Sequence, residues 1–176
     1  MNLPNKLTML RICMIPLFVA LLMQETPLYS LLAAIVFGIA SVTDLFDGWY
    51  ARKHGLITDF GKLMDPMADK LLVMTALVGL LAQGKVHWLA VMVLLAREFL
   101  VSSIRLVAAS KGLVIAAGKG GKLKTAVQMV SLALITADSF FPWLALPGAI
   151  LLWLSVALSL WSCVEYIACN KGVFAS

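Results

Sequence analysis

Asp44 and Asp47 stand three residues apart and Asp65 and Asp69 four apart, so on helices each pair occupies one face. Two such faces pressed together would gather four carboxylates in one pocket. Carboxylates crowded in low dielectric repel one another and take up protons, whereas hard oxygen ligands at this density suit a divalent cation such as Mg²⁺, Mn²⁺ or Ca²⁺. Glycine adds to the pattern. Gly48 follows Asp44 by about one helical turn and Gly61 precedes Asp65 by one, leaving backbone bare for a second helix or a flat ligand. Ala51 extends that small face, and the planar guanidinium of Arg52 suits a phosphate. A plainer account has helices packing through small residues, with a salt bridge from Arg52 to Asp47 or Asp44. It leaves unexplained why so many carboxylates accompany apolar segments, a placement that defaults to function.

Apolar helices have to hold these residues. Of the 176 residues, 62% are hydrophobic and only 13% charged, and the mean hydropathy is +0.98. A soluble domain is about half apolar and about a quarter charged. So few polar groups cannot cover a water-facing surface, and a bilayer is the expected solvent. Six segments are expected as spans: residues 7–23, 28–51, 64–82, 88–109, 124–137 and 146–168. The first and fifth are short for a bilayer, and Pro16 interrupts the first. Breaks are expected at 24–27, 52–62, 83–87, 110–121 and 138–143, which are polar or rich in Gly and Pro. One membrane domain over residues 1–176 accounts for the chain, its basic N-terminal flank leading into a retained first span. Cys13, Cys163 and Cys169 lie in apolar stretches without metal-ligand spacing and are expected as buried thiols.

Placed on alternate sides of these spans, one set of segments carries Lys6, Arg11, Arg52, Lys53, Lys62, Lys111, Lys119, Lys122, Lys124 and Lys171, and the other only Lys85. Basic residues collect on the cytoplasmic side, so both termini are expected there. The net charge of +5 is thereby attributed to a membrane setting and not to nucleic acid. Trp88, Trp143, Phe140 and Phe141 fall near the opposite ends, as interface anchors would. In this orientation the ionisable groups converge at one depth. Asp44, Asp47 and Arg52 lie toward the cytoplasmic end of the second helix, and Asp65 and Asp69 at the start of the third. Arg105 ends the fourth, Lys122 and Lys124 open the fifth, and Asn5, Thr8 and Arg11 open the first. Charges at such depth are costly and mark function. His54 and His87 have no partner in this pattern and read as interfacial.

Residues 44–70, DLFDGWYARKHGLITDFGKLMDPMADK, resemble the signature of the CDP-alcohol phosphotransferase family. Asp44-x-x-Asp47-Gly48-x-x-Ala51-Arg52 is followed by eight residues and then Gly61-x-x-x-Asp65-x-x-x-Asp69, with all eight fixed positions filled. The resemblance implies an all-α integral membrane protein of six transmembrane helices, paired as a homodimer, with an active-site cavity facing the cytoplasm. It also implies that Asp44, Asp47, Asp65 and Asp69 hold two divalent ions, Mg²⁺ or Mn²⁺, and that Asp69 is the base for the acceptor hydroxyl. Gly48, Ala51, Arg52 and Gly61, with Asn5 and Thr8, are expected to bind the CDP-lipid. Asp59 falls between the two halves and outside the signature, as a loop or cap residue.

The signature fixes CMP as the leaving group and leaves the acceptor open. Outside it, NLPNKLTMLRI, AREFLVSSIRL and GKLKTAVQ are similar to the bacterial branch of the family that joins CDP-diacylglycerol to glycerol 3-phosphate. That implies phosphatidyl transfer to glycerol 3-phosphate in a bacterial cytoplasmic membrane. Independently, Arg105, Lys122 and Lys124, with Arg11, exceed what a neutral alcohol needs and suit a phosphate monoester. Singly, each is equally accounted for as a positive-inside residue or a headgroup contact. The same chemistry on inositol phosphate, serine or phosphatidylglycerol is the next reading. A divalent cation transporter is a third, but no carboxylate continues through the outer half of the expected spans. Arg97 and Glu98 lie deeper. Adjacent helix positions do not share a face, so both are expected in a structural ion-pair network with other partners.

Overall fold

The fold is that of a computed structural model, which describes the backbone of residues 3–54, 59–111 and 119–170. Within these it describes all side chains except those of 3–7, 44–54, 59–66, 69 and 119. Six α-helices follow in order: α1 (Leu3–Leu22), α2 (Pro27–His54), α3 (Asp59–Ala82), α4 (Trp88–Ser110), α5 (Lys119–Ala137) and α6 (Ala145–Cys169). A 3-10 turn, Pro142–Leu144, precedes α6, and no strand occurs among the described residues. The helices run from 19 residues in α5 to 28 in α2, which is about 28 to 42 Å at 1.5 Å per residue. Among the described residues one stretch, Pro142–Cys169, is long and apolar enough by itself to cross a bilayer, while Thr8–Leu22, Pro27–Thr43 and Lys70–Ala82 are apolar over shorter lengths.

The distribution of side chains is that of a protein in an apolar solvent. Leu17, Ile39, Val78, Phe99, Val130 and Trp161, one on each helix in turn, are all at least half exposed, whereas Ser131, Thr136, Ser155, Ser159 and Ser162 are buried. Water would penalise such a surface. The most extensive contacts pair α1 with α2 and α5 with α6, and contacts of α1 with α3, α2 with α5 and α4 with α6 close the bundle. Phe18 of α1 meets Phe37 of α2 with ring centroids 5.7 Å apart.

Small residues bring α5 and α6 together, as in other bundles that cannot rely on water to drive helices together. Ser131 Oγ donates to the Gly148 carbonyl at 2.8 Å, and a Cβ at Gly148 would lie 2.8 Å from Ile135 Cγ1 and 3.2 Å from the Ile135 backbone nitrogen. Gly148→Ala is therefore expected to destabilise the protein by about 1–3 kcal/mol and to lower its unfolding midpoint in detergent. Gly38→Ala, where nothing lies within 4 Å, should leave that midpoint nearly unchanged. Equal midpoints for the two variants would refute this account of the α5–α6 contact.

Several boundaries differ from those expected. α1 starts at Leu3 and α5 at Lys119, so both helices extend beyond the expected spans, although the apolar part of α1, Thr8–Leu22, stays short. α1 also runs unbroken through Pro16: the hydrogen bond that proline forgoes is one of many, and Ile15, Phe18 and Leu22 anchor the helix on both sides of it. The break expected at 52–62 narrows, because α2 continues to His54 and α3 opens at Asp59. The cysteines are not buried. Cys13 and Cys169 are exposed, Cys163 is half-buried and all three are free, because apolar residues of this chain face outward as readily as inward.

At the end of the bundle remote from the motif, two links are tied together. Gly84 adopts φ 70° in the α3–α4 link, a conformation that favours glycine. The neighbouring Lys85 forms a salt bridge with Asp138 in the α5–α6 link and donates to Ser139 Oγ at 2.6 Å. His87, expected as an interfacial residue outside the motif pattern, caps α4: its Nδ1 accepts the Leu89 N–H at 3.2 Å. Phe140 and Phe141 pack edge to face with centroids 4.7 Å apart, and Trp143 is 72% exposed beside them. That is an arrangement suited to an interfacial belt.

Candidate active site

The motif lies on two continuous helices that touch. The last three turns of α2 carry Asp44, Asp47, Gly48, Ala51 and Arg52, and the first three turns of α3 carry Gly61, Asp65 and Asp69. Helical backbone at all these positions gives the expected i, i+3 and i, i+4 registers, so each carboxylate pair occupies one helix face. The side chains of these residues, and that of Asn5, lie outside the described residues. Among the described side chains no group of three or more His, Cys, Asp or Glu gathers. As a donor set, four carboxylates carried by two contacting helix ends fit a hard divalent cation, with Mg²⁺ and Mn²⁺ both suited.

Next to Asp69, α3 contributes Lys70 to a cavity of about 470 Å³ shared with α4 and α5. Five cations line it: Lys70, Arg97, Arg105, Lys122 and Lys124. Three of these, Arg105, Lys122 and Lys124, are the residues the sequence nominated for an acceptor phosphate, and the fold brings them to one cavity. Arg105 lies more than a turn before the end of α4 and not at it. Its guanidinium stands 5.6 Å from the centroid of the Tyr166 ring, a cation–π distance. Arg11, the fourth acceptor-phosphate nominee, and Thr8, expected at the CDP-lipid, are fully buried on α1 and do not line this cavity.

Glu98 organises the cations. Its Oε1 accepts from Arg97 Nη1 at 3.0 Å and from Lys124 Nζ at 2.5 Å, while Arg97 Nη2 donates to Ser162 Oγ on α6 at 3.0 Å. Lys70 donates to Ser102 Oγ, which donates to the Glu98 backbone carbonyl at 2.6 Å. The ion-pair network expected for Arg97 and Glu98 is therefore present, but the two also bond to each other. Long side chains reach across positions that the helical wheel separates. Lys124 is almost fully buried, and a charge at that depth needs the carboxylate beside it. The start of α5 fits closely here: a Cβ at Gly121 would lie 3.5 Å from Arg97 Nη2, and one at Gly120 3.3 Å from Ser162 Cβ.

Two touching helices thus carry the carboxylate motif, and the residue after its last aspartate lines a cationic cavity. The family model described as CDP-alcohol phosphatidyltransferase matches residues 1–161. The chain belongs to the CDP-alcohol phosphatidyltransferase family. Relatives are similar along most or nearly all of their length. A protein of Rickettsia bellii named CDP-diacylglycerol--glycerol-3-phosphate 3-phosphatidyltransferase is 40% identical over 174 residues, 97% of this chain and 96% of its own. One of the same name from Bacillus subtilis is 41% identical over 183 residues, 96% and 95% of the two chains. A probable phosphatidylglycerophosphate synthase of Mycobacterium tuberculosis is 38% identical over 170 residues, covering 95% of this chain and 80% of its own.

Three cavity residues were not singled out for the site by sequence reasoning. Lys70 was visible only as the residue after the motif, yet its place beside Asp69 was the signal. Glu98 reads as a deep charge whose partner Lys124 is 26 residues away, too distant to find by spacing. Gln128 gave a weaker signal, a lone amide four residues after Lys124.

Proposed function

We propose that the protein transfers the phosphatidyl group of CDP-diacylglycerol to glycerol 3-phosphate, giving phosphatidylglycerophosphate and CMP. The observation that carries this reading is the meeting of Arg105, Lys122 and Lys124 in one cavity that Lys70, the residue after Asp69, also lines. It is supported by relatives whose names state this reaction. In this reading the cations receive the phosphate monoester of the acceptor, and Gly48, Ala51, Arg52, Gly61, Asn5 and Thr8 serve the CDP-lipid. The acceptor's primary hydroxyl attacks the phosphorus that bears the diacylglycerol, the bond from that phosphorus to CMP breaks, and Asp69 accepts the hydroxyl proton. Two divalent ions, Mg²⁺ or Mn²⁺, held by Asp44, Asp47, Asp65 and Asp69, would supply charge neutralisation to the diphosphate. Acceptor profiling tests the reading. Purified protein should release CMP fastest with glycerol 3-phosphate, and equal or faster release with inositol phosphate, serine or phosphatidylglycerol would reassign the acceptor.

The setting we propose is a multi-pass homodimer in a bacterial cytoplasmic membrane, with six spans and with both termini and the site on the cytoplasmic side. Lys85, the one basic residue assigned to the far side, pairs with Asp138, which leaves the positive charge there neutralised. In a background without the free Cys13, Cys163 and Cys169, a cysteine at Gly84 should react with a membrane-impermeant reagent from outside, and cysteines at Gly55 or Gly118 only from the cytoplasm. Labelling of Gly84 from the cytoplasm alone would change the number of spans.

A further inference from the structure

Gln128 lies four residues beyond Lys124 on the same face of α5 and lines the same cavity. By helical register this is where the lining becomes apolar. Leu77 is two turns beyond Lys70 on α3, and Leu94 is one turn beyond Glu98 on α4. A primary amide at an apolar floor is expensive unless both of its ends are bonded. Gln128 is 1% exposed, yet its Nε2 has no hydrogen-bond partner among the described residues. The other neutral polar side chain of the lining, Thr125, spends its hydroxyl proton on the Gly121 carbonyl at 3.0 Å. The cavity thus contains one buried, neutral, uncommitted donor, about 6 Å along the helix from a buried ammonium.

Charged groups serve a phosphate, and a neutral N–H donor suits a neutral oxygen. The spacing fits a phosphate at the cations and a hydroxyl on the carbon next to the phosphorylated one. From these observations we propose that Gln128 donates a hydrogen bond to the secondary hydroxyl of the acceptor and thereby selects a phosphorylated vicinal diol. The primary hydroxyl, one carbon further on, is left uncommitted for transfer. This role rests on the reading of the acceptor as glycerol 3-phosphate and assigns a specificity-determining residue to it.

The test compares glycerol 3-phosphate with 3-hydroxypropyl phosphate, which keeps the phosphate and the reacting primary alcohol but lacks the secondary hydroxyl. With CDP-diacylglycerol as donor, the wild-type protein should prefer glycerol 3-phosphate by about ten- to a hundredfold in kcat/KM, the range expected for one buried hydrogen bond. Gln128→Met, close in volume, and Gln128→Leu should remove that preference by lowering the efficiency with glycerol 3-phosphate. Efficiency with 3-hydroxypropyl phosphate should stay within about twofold of wild type. Loss of both acceptors in parallel would assign Gln128 a packing role and overturn the proposal, as would a wild-type protein indifferent to the secondary hydroxyl. Because that second comparison needs no variant, the proposal stays open to refutation even if Gln128→Leu does not fold. Failure of the acceptor reading looks different: CMP would then be released with serine or inositol phosphate and with neither three-carbon phosphate.

Discussion

Asp44→Asn, Asp47→Asn and Asp65→Asn are each expected to abolish most CMP release while leaving the protein folded, and excess chelator should do the same to the wild type. The expectation follows from the donor set. Each substitution replaces an anionic oxygen ligand with an amide, which keeps shape and helix propensity nearly constant and removes a full charge from the divalent cation. Loss of one metal contact that matters in the transition state is worth several kcal/mol, and at about 1.4 kcal/mol per tenfold the rate should fall by about a hundredfold or more. The three positions lie on the helical backbone of α2 and α3, so a variant that retains its helicity and detergent unfolding midpoint has lost chemistry and not structure. Asp69→Asn combines loss of a ligand with loss of the proposed base, and should be no more active than the other three. Full turnover in excess chelator would remove the metal from the mechanism and leave four carboxylates without an explanation.

What the sequence made legible was the part of the molecule in which physics is local. The i, i+3 and i, i+4 spacings of the aspartates needed only a helix to become faces, and α2 and α3 supply it. The apolar segments needed only length. What stayed hidden was set by contacts between distant parts of the chain. Gly120 and Gly121 are helix breakers by intrinsic preference and therefore read as part of a link. They belong to α5, where a Cβ at Gly120 would lie 3.3 Å from Ser162 Cβ and one at Gly121 would be in ordinary contact with Arg97. Pro16 read as an interruption for the same reason, since propensity says nothing of the buried neighbours that hold α1 straight. Glu98 was legible as an anomaly, a carboxylate in an apolar run. Its partner Lys124 became visible only when α4 and α5 were placed side by side. The apolar surface shows a different limit. Burial of cysteine is a rule for proteins in water, and it failed for Cys13 and Cys169 because exposed thiols are no anomaly on a surface as apolar as this one.

Arg105→Ala and Lys122→Ala should each lower kcat/KM for glycerol 3-phosphate by about ten- to over a hundredfold. A charge-assisted hydrogen bond is worth about 1.5–3 kcal/mol, and each 1.4 kcal/mol is about a factor of ten. The apparent affinity for CDP-diacylglycerol should change much less, whereas Arg52→Ala should show the reverse pattern. Free glycerol should be a poor acceptor, because it leaves the cluster unpaired. Arg105→Lys should not rescue, since the ammonium lacks the planar face that the guanidinium presents to Tyr166 and the fork that grips two phosphate oxygens. Lys124 must be treated separately from the other two. It is bonded to Glu98 inside the bundle, so Lys124→Ala alone takes one of that carboxylate's two cations and leaves it only Arg97, and part of its effect will be instability. Lys124→Met combined with Glu98→Gln removes both charges together. If that double variant recovers its unfolding midpoint and still fails to use glycerol 3-phosphate, Lys124 serves the acceptor as well as the fold. If Arg105→Ala and Lys122→Ala instead weaken both substrates equally, the cations bind headgroups in general and the acceptor's phosphate must be read elsewhere in the protein.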